Sequence, residues 1–348
     1  MINHSIIFSA PWKVELEEQP FSDHVQPHEL LVEKLYTLVS AGTELACLSG
    51  NEHWFHMPSV PGYSAVSRVL QVGATVSDFK RGDIVFHYGK HSRYEILSHD
   101  ELIVPVPAGI PLSRVPFARL ATIAMTSLRT STIELGDAVA VTGLGLVGNL
   151  AAQLAGLQGA TVIGIDLIDN RLELANACGI DLTINSNERS AGELVHAMTN
   201  GHGVSTLIEA TGVPESVEKH ISLIAPYGEL ILLGSPRGEH HSNVTELLNY
   251  VHLVDRGCIT LKGAHEWKYP LKPNSFVKHS LQRNSNIALE LIRSEKLVIG
   301  PLISHVLHPL HDAQRAYEGL RNDKQHYFGV VFDWTLLHNK ENEEEYDA

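Results

Sequence analysis

The pattern of apolar and polar positions along this chain of 348 residues changes near residue 116. Before that point, short apolar stretches lie between turns rich in Gly, Pro and Asp. They predict strands at 5–9, 29–37, 64–72, 84–87, 93–97 and 102–107, with no long amphipathic helix. From Pro116 a helical pattern, FARLATIAMTSLRTSTI, leads into DAVAVTGLGLVG. The Val-rich run 138–141 is too short for a helix and reads as a buried strand. Leu150, Leu154 and Leu157 then recur at helical spacing until Gly159, and a strand over 161–165 ends on Asp166. The alternation continues with helices at 169–178, 189–200 and 214–225 and strands at 182–184, 205–209 and 229–234. After an irregular stretch come a strand at 258–263, a helix at 285–296 and a last strand at 327–334 that returns to the first domain. Such alternation implies a parallel sheet covered on both faces, an α/β domain that follows a β-rich one. No internal repeat of 20 to 50 residues is visible.

Gly143, Gly145 and Gly148 form G-x-G-x-x-G between the first strand of this pattern and its helix. At a helix start several backbone N–H groups are unpaired and the dipole favours negative charge, so a pyrophosphate can sit there. The first glycine makes the tight turn, the second admits the phosphate, and the third lets helix and strand pack closely. An acid about 20 residues on accepts from the adenosine ribose. Asp166 holds that position. Its carboxylate pairs with two ribose hydroxyls and repels a 2′-phosphate, so NAD is favoured over NADP. Arg171 either reaches the adenosine edge or is a solvated charge opening the next helix.

Composition narrows the function. There are 40 acids against 26 bases, a formal charge of −14, and the end ENEEEYDA carries five of the acids. Nucleic acid and anionic membrane are therefore not expected partners, and the acidic end reads as a disordered, solubilising tail. No apolar run approaches the ~18 to 20 residues that cross a bilayer, and the N-terminal stretch lacks the features of a signal peptide, which points to the cytoplasm. Cys47, Cys178 and Cys258 are widely separated, which excludes a disulfide framework and a cysteine-built zinc site.

PGYSAVSRVLQVGATVSDFKRGDIV at 61–85, GLGLVG at 143–148, IEATG at 208–212 and GELILLG at 228–234 occur in the order of the medium-chain dehydrogenase/reductase superfamily. The chain resembles that superfamily over nearly its whole length. VSAGTEL at 39–45 is most similar to the branch containing bacteriochlorophyllide hydroxyethyl dehydrogenase. The resemblance implies a GroES-like β-rich catalytic domain at 1–122, a Rossmann NAD-binding domain at 123–295 and a return to the first domain at 296–348. It also implies a homodimer formed through the strand around 259–263. The implied cofactor contacts are Thr126, Gly143, Gly145, Val147, Gly148, Asp166, Arg171, Thr211 and Gly234.

The departures from the family decide the mechanism. Where the zinc enzymes have a Cys, a His and a Glu, this chain has Ala41, Tyr63 and Ser64, and the hinge PFARLATIAMTSL offers no Cys, Asp or Glu. The four-cysteine structural zinc loop is missing, and Ala46 stands at the family's relay His. Zinc needs three protein ligands with an open fourth position, so no metal is expected. The alternative, a site built from His53, His56, His87, His91, His240, His241 and His265, would need many loops to converge.

Without a metal, a side chain must hold or move the proton on the reacting oxygen. His265 at a strand end is the first candidate, with Tyr63 as its rival and Thr43 as an oxygen contact. Glu44, His53, His56, His87 and Glu266 are candidate substrate contacts and favour a hydroxyl-rich small molecule. The expected function is zinc-independent, NAD-dependent interconversion of a secondary alcohol, on a polyol, sugar or ring, with its ketone. A quinone or enoyl reductase and a catalytically silent cofactor-binding protein are the alternatives.

Overall fold

The computed structural model describes residues 1–188 and 190–337, so the acidic tail lies outside the described residues. In chain order the elements are β1 (Ile2–Ala10), β2 (Lys13–Pro20), β3 (Glu29–Leu38), α1 (Ala41–Ser49), β4 (Ala65–Val72), β5 (Ile84–His87), β6 (Tyr94–Ser98), β7 (Ile103–Pro105) and α2 (Phe117–Thr130). They continue as β8 (Ala138–Thr142), α3 (Leu146–Leu157), β9 (Thr161–Asp166), α4 (Asp169–Ala177), β10 (Leu182–Asn185), α5 (Ala191–Met198), β11 (Val204–Glu209), α6 (Pro214–His220) and β12 (Ile224–Leu232). The last are α7 (Val244–His252), β13 (Thr260–Gly263), α8 (Leu281–Arg293), β14 (His305–Leu307), α9 (Pro309–Asn322) and β15 (Val330–Asp333).

These elements fall into two compact units. Of the described residues, the first comprises 1–119, 270–294 and 303–337; the second comprises those within 120–269 and 295–302. In the first, a sheet runs in the order β14-β15-β3-β4-β5-β7, with β6 also paired to β3, and β1 and β2 form a separate hairpin. On β3 the successive residues Leu30, Leu31 and Val32, and also Leu35 and Leu38, are all buried, so both faces of this strand are covered. One core cluster joins Ile6, Phe8, Leu48, Tyr317, Phe332 and Trp334. α8, expected within the nucleotide-binding half, groups with this first unit and packs against β7. Its apolar stripe Leu281, Ala288, Leu289 and Ile292 is buried.

The second unit carries a six-stranded sheet in the order β10-β9-β8-β11-β12-β13, parallel throughout. The order reverses on either side of β8, which leaves a crevice at the carboxyl ends of β8 and β11, where a doubly wound fold binds its ligand. The helix expected at 214–225 ends at His220, because Ile221, Leu223 and Ile224 turn into the core and start the next strand. α7 lies in the stretch that reads as irregular. It buries no residue fully, although Leu247, Tyr250 and Val251 pack against the core of the second unit. No helix among the described residues is long and apolar enough to cross a membrane.

Candidate active site

At the end of β8 the three glycines of the turn differ in what demands them. Gly143 has φ +83°, which favours glycine, and a Cβ there would stand 2.6 Å from Thr211 Cγ2. At Gly148 a Cβ would meet the carbonyl oxygen of Gly143 at 1.8 Å, so helix and turn touch backbone to backbone. Gly145 is different: nothing lies within 4 Å of a Cβ there, and its φ is −59°. The space beside it is open at the start of α3, where Val147 is half-buried and no side chain caps the helix.

Neighbouring strand ends complete the crevice. The buried Glu209 accepts from the backbone N–H groups of Thr211 (2.9 Å) and Gly212 (3.2 Å) and from the Thr211 hydroxyl. A Cβ on Gly234 would stand 2.3 Å from the Gly212 nitrogen, so the turns after β11 and β12 pack without side chains between them. Glu209 escaped the reading of the sequence, although the I-E-A-T-G segment contains it. Thr126 is fully buried on α2, with its hydroxyl donating to the Thr122 carbonyl at 3.1 Å.

Asp166 is almost wholly buried at the end of β9. One carboxylate oxygen accepts from Leu167 N (2.7 Å) and Ile168 N (3.0 Å); the other accepts from Leu144 N in the glycine turn (2.7 Å) and, at 3.4 Å, from Arg171. The carboxylate thus ties the turn to β9. Arg171 is the long, partly exposed partner whose displacement would free an acceptor for a ribose hydroxyl.

The first unit contains a cavity of about 390 Å³ bordered by Thr43, His56, Tyr63 and Lys90, with Trp54 and Phe55 on its apolar side. Cavities of a few hundred Å³ suit a small ligand. α1, which presents Thr43, is a helix absent from the strand pattern, nine residues long and closed by Gly50 at φ 81°. Tyr63 donates to the Ser40 hydroxyl immediately before α1. Burial raises the Tyr63 pKa, while the Arg119 guanidinium and the hydroxyls of Ser40 and Thr43 oppose that rise.

Two expected substrate contacts are held by partners within the protein. Glu44 borders the cavity but is 2 % exposed, and its oxygens accept from Ser40 N at 2.7 Å and Tyr317 Oη at 2.6 Å, with His91 Nε2 at 3.0 Å. It is the anchor of α1. His87 is buried in β5 with Nε2 2.7 Å from Ser67 Oγ, because β5 is covered on both faces. Burial, reinforced by the Lys34 ammonium, pushes its pKa well below 6.5. His53 is exposed and His56 is exposed at the cavity border. In the second unit His265 is exposed, whereas Glu266 is buried with Oε2 3.5 Å from the Thr122 hydroxyl.

The neutral His87 carries a pH dependence. Below pH 6.5 the unfolded chain takes up a proton that the folded chain refuses, so this contribution is complete above 6.5 and is lost as pH falls toward the folded value. His220 and His305, also lowered by burial, act with the same sign. Thermal unfolding should show a Tm that declines below pH 6.5, and His87→Gln should flatten part of that decline. An unaltered profile in His87→Gln would assign the acid sensitivity to other groups.

The positions that resemble zinc ligands do not fit a zinc ion. Ala41 has no donor, Tyr63 is bonded to Ser40, and Ser64 Oγ donates to the Pro116 carbonyl at 2.5 Å. Among the described residues no three His, Cys, Asp or Glu side chains are grouped where they could hold a metal.

The chain thus contains a β-rich unit and a unit with a doubly wound parallel sheet. Residues 147–272 match the family described as zinc-binding dehydrogenase. An uncharacterized zinc-type alcohol dehydrogenase-like protein of Haemophilus influenzae is 25% identical over 292 residues, covering 75% of this chain and 84% of its own. D-guloside 3-dehydrogenase of Shigella flexneri is 30% identical over 173 residues, about half the length of each chain at 49%. Galactitol-1-phosphate dehydrogenase from Escherichia coli has a similar structure, with a TM-score of 0.81 at 21% identity over 95% of this chain and 99% of its own. The chain is thus similar to zinc-type alcohol dehydrogenase-like proteins, in sequence at 25% identity over 75% of its length and in fold over nearly all of it.

Proposed function

We propose that the protein is a zinc-independent, NAD-linked dehydrogenase that interconverts a secondary alcohol of a polyol, sugar or ring with its ketone. The observation that carries this reading is the cavity bordered by Tyr63, which stands at a position where the resembling zinc enzymes have a ligand, and by Thr43. The dinucleotide would be held by the open backbone beside Gly145, the turns at Thr211 and Gly234, and Asp166, and it supplies the hydride acceptor. Tyr63 handles the proton. As phenolate it takes the proton of the substrate hydroxyl during oxidation; as phenol it donates to the carbonyl oxygen during reduction, with Ser40 as its partner. Thr43 orients the reacting oxygen. The D-guloside and galactitol-1-phosphate dehydrogenases named above lend support to a hydroxyl-rich substrate.

The test combines metal content with turnover. Protein purified without added metal should contain less than one zinc per chain and, after chelation, still reduce NAD with a member of a panel of methyl glucoside, erythritol and galactitol. One tightly held zinc, lost together with activity, would overturn the reading. Asp166→Ser should weaken NAD binding and relax rejection of NADP. Tighter binding of NADPH than of NADH by the unaltered protein would reverse the cofactor assignment.

We further propose a homodimer through β13. This strand is the edge of the second unit's sheet, and Leu261 is exposed on it. An unpaired β edge is a template for another chain. Sedimentation should give twice the chain mass at micromolar concentration; a monomer there would dismiss the dimer.

A further inference from the structure

Arg119 is buried in the first turn of α2, with 4 % of its surface exposed. Its guanidinium carbon stands 4.1 Å from the centre of the Tyr88 ring and 5.0 Å from that of Tyr63, within the range at which a cation is attracted to an aromatic face. A guanidinium does not lose its proton in a protein. The cavity border therefore has behind it a permanent positive charge held by two rings. It lies in the hinge segment where the resemblance places a metal ligand, in a chain whose other ligand positions do not fit a metal.

We propose that Arg119 is a positioning residue: it provides the fixed positive charge, acting through Tyr63, that stabilises the anion left on the phenol oxygen when the proton moves. A metal does this for a bound hydroxyl directly; here the charge would act one side chain away, because Arg119 does not itself border the cavity. The inference rests on Tyr63 as the proton carrier. The other charged groups near Tyr63 do not replace Arg119. Glu44 opposes it and is committed to its own donors, while Lys90 and His56 border the cavity from exposed positions. The Ser40 and Thr43 hydroxyls assist Tyr63 without carrying charge.

The experiment compares Arg119→Met, Arg119→Gln and Arg119→Lys, each also in a Tyr63→Phe background. The ultraviolet titration of tyrosinate, taken as the difference from Tyr63→Phe, isolates Tyr63 without any substrate. With Arg119→Met or Arg119→Gln its midpoint should rise by about one pH unit or more, equivalent to tenfold, while Arg119→Lys should stay near the parent. The pH at which kcat/KM for oxidation of the active panel member rises should move up by the same amount, so the rate near pH 8 falls about tenfold and recovers at higher pH. In the Tyr63→Phe background the Arg119 changes should cost nothing more. A parent-like denaturant transition of the first unit, followed by tryptophan fluorescence, controls for folding.

An unmoved tyrosinate midpoint, or an equal loss of rate with and without Tyr63, would overturn the proposal. If Tyr63→Phe alone keeps full turnover, the proton-carrier reading fails and takes the catalytic role of Arg119 with it. The absorbance midpoint would still show, separately, whether the charge reaches the phenol.

Discussion

Tyr63→Phe should lower kcat for alcohol oxidation by about 10²-fold or more, the usual consequence of removing a general acid–base group, while leaving NAD affinity nearly unchanged. The change removes one oxygen and keeps the ring that faces Arg119. In the oxidation direction the loss should grow as pH rises, because burial raises the Tyr63 pKa and the phenolate that acts as base forms only on the alkaline side. His265→Ala is the counterpart. The side chain is exposed in the second unit, and under this reading its loss should change kcat little. A 10²-fold drop in His265→Ala with full turnover in Tyr63→Phe would transfer the proton to the histidine. If neither change alters turnover of any alcohol or ketone that binds, the silent cofactor-binding alternative becomes the better account.

The second large effect concerns folding. Glu44→Leu should destabilise the first unit by about 3 kcal/mol or more, the range for removing one member of a buried charged network. The reason is the number of donors left behind. Tyr317, whose phenol is pushed well above its usual pKa by burial and by Glu44, loses its acceptor, as do Ser40 N and His91. His91 Nδ1 in turn lies 2.8 Å from Thr37 Oγ1, which accepts from the Trp334 indole at 2.9 Å. Denaturant unfolding followed by tryptophan fluorescence should show an earlier transition for the first unit, while dinucleotide binding by the second persists. A variant as stable as the parent would mean that the network is not holding α1.

Much of the second unit was legible in the sequence, since its central strands β8 and β11 are largely buried runs followed by glycine turns. The strands of the first unit were also visible apart from β2 and β14, and the helices α1 and α9 were not read. β2 carries Glu15, Glu17 and Glu18, so its pairing with β1 is hidden behind charge. α1 is too short for a helical period to emerge, and its function hangs on Glu44, which looks like a surface acid until Tyr317, 273 residues away, is seen to donate to it. His87 shows the same limit in reverse. A histidine at the end of a short strand has the same sequence signature whether it faces a ligand or Ser67, and only the covering of both sheet faces decides. The nearness of Arg119 to Tyr63 was likewise unreadable, because nothing in PFARL indicates that its arginine points inward onto rings from two other segments.

The contrast among the turn glycines has an evolutionary consequence. Gly143 and Gly148 are required by the polypeptide itself, so any descendant that still folds must keep them. Gly145 has an ordinary backbone angle and empty space beside it, so folding places no demand on it and only a visiting phosphate would. In a lineage that had given up nucleotide binding, selection would stop acting on this position first, and alanine or serine would drift in while its two neighbours stayed fixed. Under the proposed reading, glycine at 145 serves the dinucleotide rather than the fold.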